Sequence, residues 1–142
     1  MELFRSFHIS GSALTAEKLR VDTVAGNLAN METTRTLDGG PYRRKTVVFA
    51  ERLALARGGM PPVMRGSGVN VAAVVEDPNP PRLEYDPEHP DANDDGYVAY
   101  PNIDLAKEMT DLITASRSYE ANTTAVNTAK SLYLKALEIG RG

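Results

Sequence analysis

The sequence predicts an α+β fold, with long N- and C-terminal helices pairing as a coiled-coil-like bundle around a small β-rich, proline-rich central domain. Three observations carry this. All nine prolines lie between Pro41 and Pro101, so only the two ends are free of a residue that removes a backbone donor and breaks a helix. Both ends repeat apolar residues every seventh position. The stretch between them holds short β-branched runs separated by turn residues. The implied organisation is an N-terminal helix in 1–36, a central β-rich domain over 37–101 and a C-terminal helix in 102–142.

In the N-terminal segment Phe7, Leu14, Val21 and Leu28 fall on one line of sevens. Polar residues fill the remaining faces, so the helix carries a seam and is not apolar all round. The segment ends at Asn27 and Asn30, a residue type that turns or caps a helix end readily. The C-terminal segment repeats the pattern with Leu105, Leu112, Tyr119, Val126 and Tyr133, and adds Ile113, Leu132 and Ile139 away from that line. Two such helices bury too little apolar surface to offset the ordering of about 60 residues. The ends are therefore expected to be loosely ordered in a single chain and to fold fully on self-assembly or docking.

The middle reads as four strands over 43–49, 68–75, 82–85 and 96–100, divided by turn clusters such as Asp38-Gly39-Gly40-Pro41, Gly58-Gly59-Met60-Pro61-Pro62 and Asp86-Pro87-Glu88-His89-Pro90. Its low aliphatic content predicts a shallow core.

Composition excludes several kinds of function. Cysteine is absent, which removes disulfides, thiolate chemistry and cysteine-ligated zinc. The formal charge is −3 and no segment has the basic excess that phosphate-backbone binding uses, so no nucleic-acid partner is expected. No run approaches the roughly 20 apolar residues of a membrane span, and the first residues lack a signal peptide's apolar core.

The candidate chemical motifs are incomplete. Asp91-Ala92-Asn93-Asp94-Asp95-Gly96 begins like an EF-hand loop, yet its twelfth position is Asn102 where a bidentate glutamate belongs, and Pro87, Pro90 and Pro101 forbid flanking helices. Gly66-Ser67-Gly68 lacks the third glycine and the following helix of a dinucleotide turn. His8 and His89 have no metal-ligand spacing, and no nucleophile-elbow sequence occurs. Arg43-Arg44-Lys45 reads as a solvated strand edge. Asn122-Thr123-Thr124 fits a glycosylation acceptor but falls inside the C-terminal helix. No metal, cofactor, small-molecule substrate or catalytic residue is assigned.

Two stretches carry a resemblance. Asn27-Leu28-Ala29-Asn30-Met31-Glu32-Thr33-Thr34-Arg35-Thr36, followed by Gly39-Gly40-Pro41-Tyr42-Arg43-Arg44, resembles the N-terminal signature of the flagellar axial (rod and hook) protein family. There an Asn-x-Ala-Asn box ends the first helix and a threonine-rich turn follows. Tyr119-Glu120-Ala121-Asn122, leading to Asn127-Thr128-Ala129-Lys130, is similar to that family's C-terminal helix. With Tyr85-Asp86-Pro87-Glu88-His89-Pro90-Asp91-Ala92, these boxes are closest to the proximal-rod members. The likeness runs from about Ser12 to Gly140, is weakest over 53–65, and departs at Met31, where a smaller residue is the rule.

The resemblance implies a non-enzymatic rod subunit without cofactors, stacking helically through its terminal helices with copies of itself and other rod proteins. Such a subunit transmits torque and forms the wall of the export channel. Basal-body ring and export-gate components are implied as further partners, and the periplasmic rod as the location, reached by export without signal cleavage. A distal-rod or hook-type protein is the nearest alternative. A calcium-dependent binding module, resting on Asp91 to Gly96, is a second one from another class.

Overall fold

A computed structural model of the single chain describes residues 2–55 and 64–140. The order of elements is α1 (Glu2–Ala29), β1 (Lys45–Leu55), β2 (Met64–Glu76), β3 (Arg82–Tyr85), β4 (Tyr97–Tyr100) and α2 (Leu105–Ile139). The turn expected at 58–62 lies outside the described residues.

Helix α1 closes where the sequence changes from apolar periodicity to Asn-Met-Glu-Thr-Thr. Asn30 Nδ2 donates to the Gly26 carbonyl at 2.9 Å, and Thr33 Oγ1 donates to Asn30 Oδ1 at 3.2 Å. The stop is made by these side chains, not by a left-handed asparagine, since among the described residues only glycines have positive φ. The chain then doubles back: Tyr42 N donates to the Thr33 carbonyl and Thr36 N to that of Gly40, with Gly39 and Gly40 at φ of 83° and 78°. Glycine enters that left-handed region without Cβ strain.

The middle forms two separate antiparallel hairpins, β1–β2 and β3–β4, and not one sheet. The ladder of the first runs from Lys45 opposite Glu76 to Leu55 opposite Met64, with irregularities at Val48/Phe49 and Glu51/Leu53. It extends well past the β-branched runs that announce it, because each added pair continues an existing ladder. The second pairs Arg82 with Tyr100 and Tyr85 with Tyr97. Tyr85 and Tyr97 meet edge to face at 5.3 Å, and Val98 is fully buried beneath.

Helix α2 starts at Asp104, whose extended backbone and Oδ1, accepting from the Ala106 and Lys107 amides, cap the first turn. The two long helices pack antiparallel. Arg20 of α1 meets Asp111 of α2, while Asn27, further along α1, meets Glu108, earlier in α2. Both run unbroken in the single chain, 28 and 35 residues long. The apolar core is small: Ala16, Val24, Val98 and Ala115 are its buried hydrophobic residues among those described. No helix of the described residues is long and apolar enough to cross a membrane.

Candidate functional site

The most deeply buried side chains of the helix pair are polar. Asn27 and Glu108 are both 0% exposed. Asn27 Nδ2 donates to the Lys45 carbonyl (2.8 Å) and to Glu108 Oε2 (3.0 Å). Its Oδ1 accepts from the Lys45 amide (2.9 Å) and the Tyr42 hydroxyl (3.2 Å). Every hydrogen-bonding site of this amide is therefore filled. Glu108 Oε1 accepts from Arg44 Nε at 2.6 Å, and the same guanidinium donates to Thr46 Oγ1 at 2.7 Å and to Asp111 Oδ2 at 3.5 Å. Arg20 reaches the other Asp111 oxygen at 3.8 Å. One satisfied network thus ties α1, the start of β1 and α2 together. Burial, followed by the negative charges of Glu76 and Glu108, raises the Tyr42 hydroxyl above the usual tyrosine value of 10.0.

Only part of this was visible in the sequence. Asn27 and Tyr42 stood out through the family motif, but Asn27 serves as a cross-link and not as the helix cap. Arg43 is exposed, as a solvated strand edge would be, whereas the Arg44 side chain is only 14% exposed and bound to Glu108. Lys45 lies over the Tyr42 ring. Glu108 sits seven residues before Ala115, and a charge on that row of small residues was the available signal.

The loop expected to mimic a calcium site is occupied by the protein itself. Asp91 accepts from Thr34 Oγ1 at 2.8 Å and pairs with Arg35 at 3.3 Å, tying the turn after α1 to the β3–β4 connection. Asn93 Oδ1 accepts from the Asp95 and Tyr97 amides, and Gly96 turns with φ of 80°. His89 Nδ1 accepts from the Asp91 amide.

The predicted seam residues are not the most buried ones. Phe7, Leu14, Val21, Leu28, Leu112 and Val126 are half-buried, while Leu105, Tyr119 and Tyr133 are exposed. The buried residues are instead Ala16, Val24 and Asn27 of α1 and Glu108 and Ala115 of α2. Glu108 and Ala115 are themselves seven apart and lie three residues beyond Leu105 and Leu112, so the buried row of α2 is the one beside the predicted line. Among the remaining motif residues, Ala29, Gly39, Gly40, Glu120 and Ala121 are exposed, and Asn30, Pro41 and Asn122 are half-buried. Asn122 Nδ2 donates to the Ser118 carbonyl.

The far end of α2 is the second notable surface. Counting about 25 residues back from Asn27 and forward from Glu108 sets the start of α1 near Tyr133, so the last turns of α2 run past it. Leu132, Tyr133, Leu134, Leu137 and Ile139 are exposed there, from 38% at Tyr133 to 82% at Ile139. Leu132, Tyr133 and Leu134 are consecutive and point to different sides, interleaved with Lys130, Lys135 and Glu138, so this end carries more than one apolar strip. The chain exposes 10317 Å², whereas a compact protein of 15.4 kDa would expose roughly 7,200 Å². The excess of roughly 3,100 Å² is in the range of an obligate interface.

Residues 7–35 match a family model described as Flagella basal body rod protein, and residues 94–139 one described as Flagellar basal body rod FlgEFG protein C-terminal. The chain is 44% identical to the flagellar basal-body rod protein FlgC of Borreliella burgdorferi, with all of both chains covered. It is 47% identical to the protein of that name from Bacillus subtilis and 44% identical to that of Escherichia coli, each over 99% of this chain and 100% of the relative.

Proposed function

The chain belongs to the flagellar basal-body rod protein FlgC family, and from that premise we propose that it is a structural subunit of the proximal rod whose terminal helices carry its assembly. Identity along the full length to FlgC proteins supports this reading over a distal-rod or hook-type protein. The observation that carries the assembly mechanism is the exposed apolar end of α2, with an exposed area far above that of a compact monomer. A contact surface matched to a different region of the next copy generates an open helical stack.

In this reading the bundle of 1–36 and 102–142 forms the packed wall of the export channel, and the central domain of 37–101 stands outside it. Phe7, Leu14, Val21 and Leu28, with Leu105, Leu112, Tyr119, Val126 and Tyr133, form the seam between neighbouring subunits. Partners are copies of the chain and other rod proteins, with ring and export-gate components at the membrane end of a periplasmic rod. The role is mechanical and not enzymatic. The buried polar side chains Asn27 and Glu108 are spent on each other and on Arg44, Lys45 and Tyr42, which suits a part that transmits torque.

The test uses side chains that the single chain does not bury. Leu132→Asp and Leu137→Asp, introduced into cells lacking the gene, should abolish swimming and stop rod assembly. The purified variants should keep near-wild-type helicity, because both side chains are about half exposed in the single chain. Normal motility with both would overturn the assembly role of α2.

A further inference from the structure

Helix α1 and strand β2 touch far from the Asn27 network, in a way that the assembly reading does not require. Ser12 Oγ accepts from the Val69 amide at 3.0 Å and itself donates to the Ile9 carbonyl at 2.7 Å. One helical turn earlier, His8 Nδ1 donates to the Ser67 carbonyl at 3.3 Å. Within a strand, groups two residues apart point the same way, so the Ser67 carbonyl and the Val69 amide share one side of β2. His8 and Ser12, four apart on α1, share one helix face. Two side chains of one face thus meet a carbonyl and an amide on one side of the strand.

Gly68 lies between those two groups, with φ of 113°. A Cβ at that position would collide with Ser12 Oγ and come within 3.5 Å of Ile9 Cα. The helix therefore comes this close only because the residue is glycine. The distances along the two elements agree. From Asn27 to Ser12 is about 22 Å of helix, and from Lys45, at Asn27, to Glu51, opposite Val69, is about 20 Å of strand. The β1–β2 hairpin is thus laid along α1 and fastened at two points.

We infer that His8, Ser12 and Gly68 form a latch in which α1 stands in for a third strand beside β2, and that this latch sets the angle of the hairpin on the helix bundle. Ser12 and Gly68 are positioning residues: they hold the hairpin as one rigid body with the helices, so that neighbours meet a fixed shape. Without the latch the hydrogen bonds that remain between hairpin and bundle lie at the Asn27 end, and the hairpin swings about it. A two-stranded hairpin has little stability of its own in water, and the latch also occupies backbone groups that would otherwise be open to pairing.

The absence of cysteine makes the test direct. Spin labels at Glu51→Cys on β1 and Glu120→Cys on α2, both exposed positions, report the separation of hairpin and helix bundle in the full chain in solution. The unaltered latch should give one narrow distance. Ser12→Ala should raise the swung-out population about fivefold, the weight of one net hydrogen bond, while far-ultraviolet dichroism stays unchanged. Thr15→Ala, which loses only a bond to the Gly11 carbonyl within α1, should leave the distance as it was. Gly68→Ala should displace the hairpin further. If the strained backbone at 68 unfolds the hairpin instead, Ser12→Ala alone decides. An unchanged swung-out population in Ser12→Ala, read from the long-distance tail of the distribution, overturns the latch, and because no rod is present in the sample, this result is independent of whether the rod assembles.

Discussion

Glu108 has no route to water, so its charge is tolerated only while Arg44 stays beside it. Removing one partner of a buried pair costs far more than removing both, because the survivor keeps its desolvation without compensation. Arg44→Met should lower stability by about 3–5 kcal/mol, read as a shift of the urea midpoint, and adding Glu108→Met should recover most of the loss. Additive losses in the double variant would mean that the pair is not coupled. Tyr42 gives a second test in alkali. Its hydroxyl donates to Asn27 Oδ1, which requires the neutral form, and its folded pKa lies above the usual 10.0. A raised value means that the folded state holds the proton more tightly. The stabilisation is therefore complete below the unfolded pKa of about 10 and is lost as pH rises through the folded value. Stability should fall across that alkaline window, and Tyr42→Phe should remove this part of the fall while costing about 1 kcal/mol at neutral pH. A phenolate absorbance titration, compared between the two proteins, locates the group.

Each long helix is defined by local chemistry at its ends and by distant chemistry along its face. Asp104 satisfies two first-turn amides of α2 at an exposed site, so Asp104→Ala should cost about 1 kcal/mol in thermal unfolding without altering the assembled shape. Such local rules made the elements legible. The confinement of proline to 41–101 marks both helices, β-branched runs mark β1 and β2, tyrosines mark β3 and β4, and turn residues mark the connections, as at Asn93 and Gly96. The contact face was not legible in the same way. The line of sevens through Leu105, Tyr119 and Tyr133 runs beside the row of Glu108 and Ala115, the buried residues of α2. The polar network escaped because its members are remote in the chain, Asn27 and Glu108 being 81 residues apart. A glutamate bound in a core and one in solvent look alike until the helices are paired. Arg44 was hidden for the same reason, inside a basic run whose first member is indeed exposed. The latch depends on Gly68, which the sequence offered only as part of an incomplete nucleotide turn.

At the scale of the molecule, exposed area governs how the free chain unfolds. An extended chain of 15.4 kDa exposes roughly 22,300 Å² and a compact fold of that mass roughly 7,200 Å², a change of about 15,100 Å². Starting from 10317 Å², the change is only about 12,000 Å². Because the urea dependence of stability scales with the area uncovered, the m-value of the isolated chain should be about four-fifths of that of a compact protein of equal length. The heat-capacity change should be reduced in the same sense, since apolar exposure dominates it. Amide exchange along α2 beyond the reach of α1 should accordingly be fast in the free chain and slow in the rod, whereas the turn around Glu108 should be protected in both. An m-value equal to the compact one would mean that the free chain closes over its own helix end. The face carrying Leu132, Leu137 and Ile139 would then have to be uncovered before a neighbour could bind, making assembly a two-step process instead of direct docking.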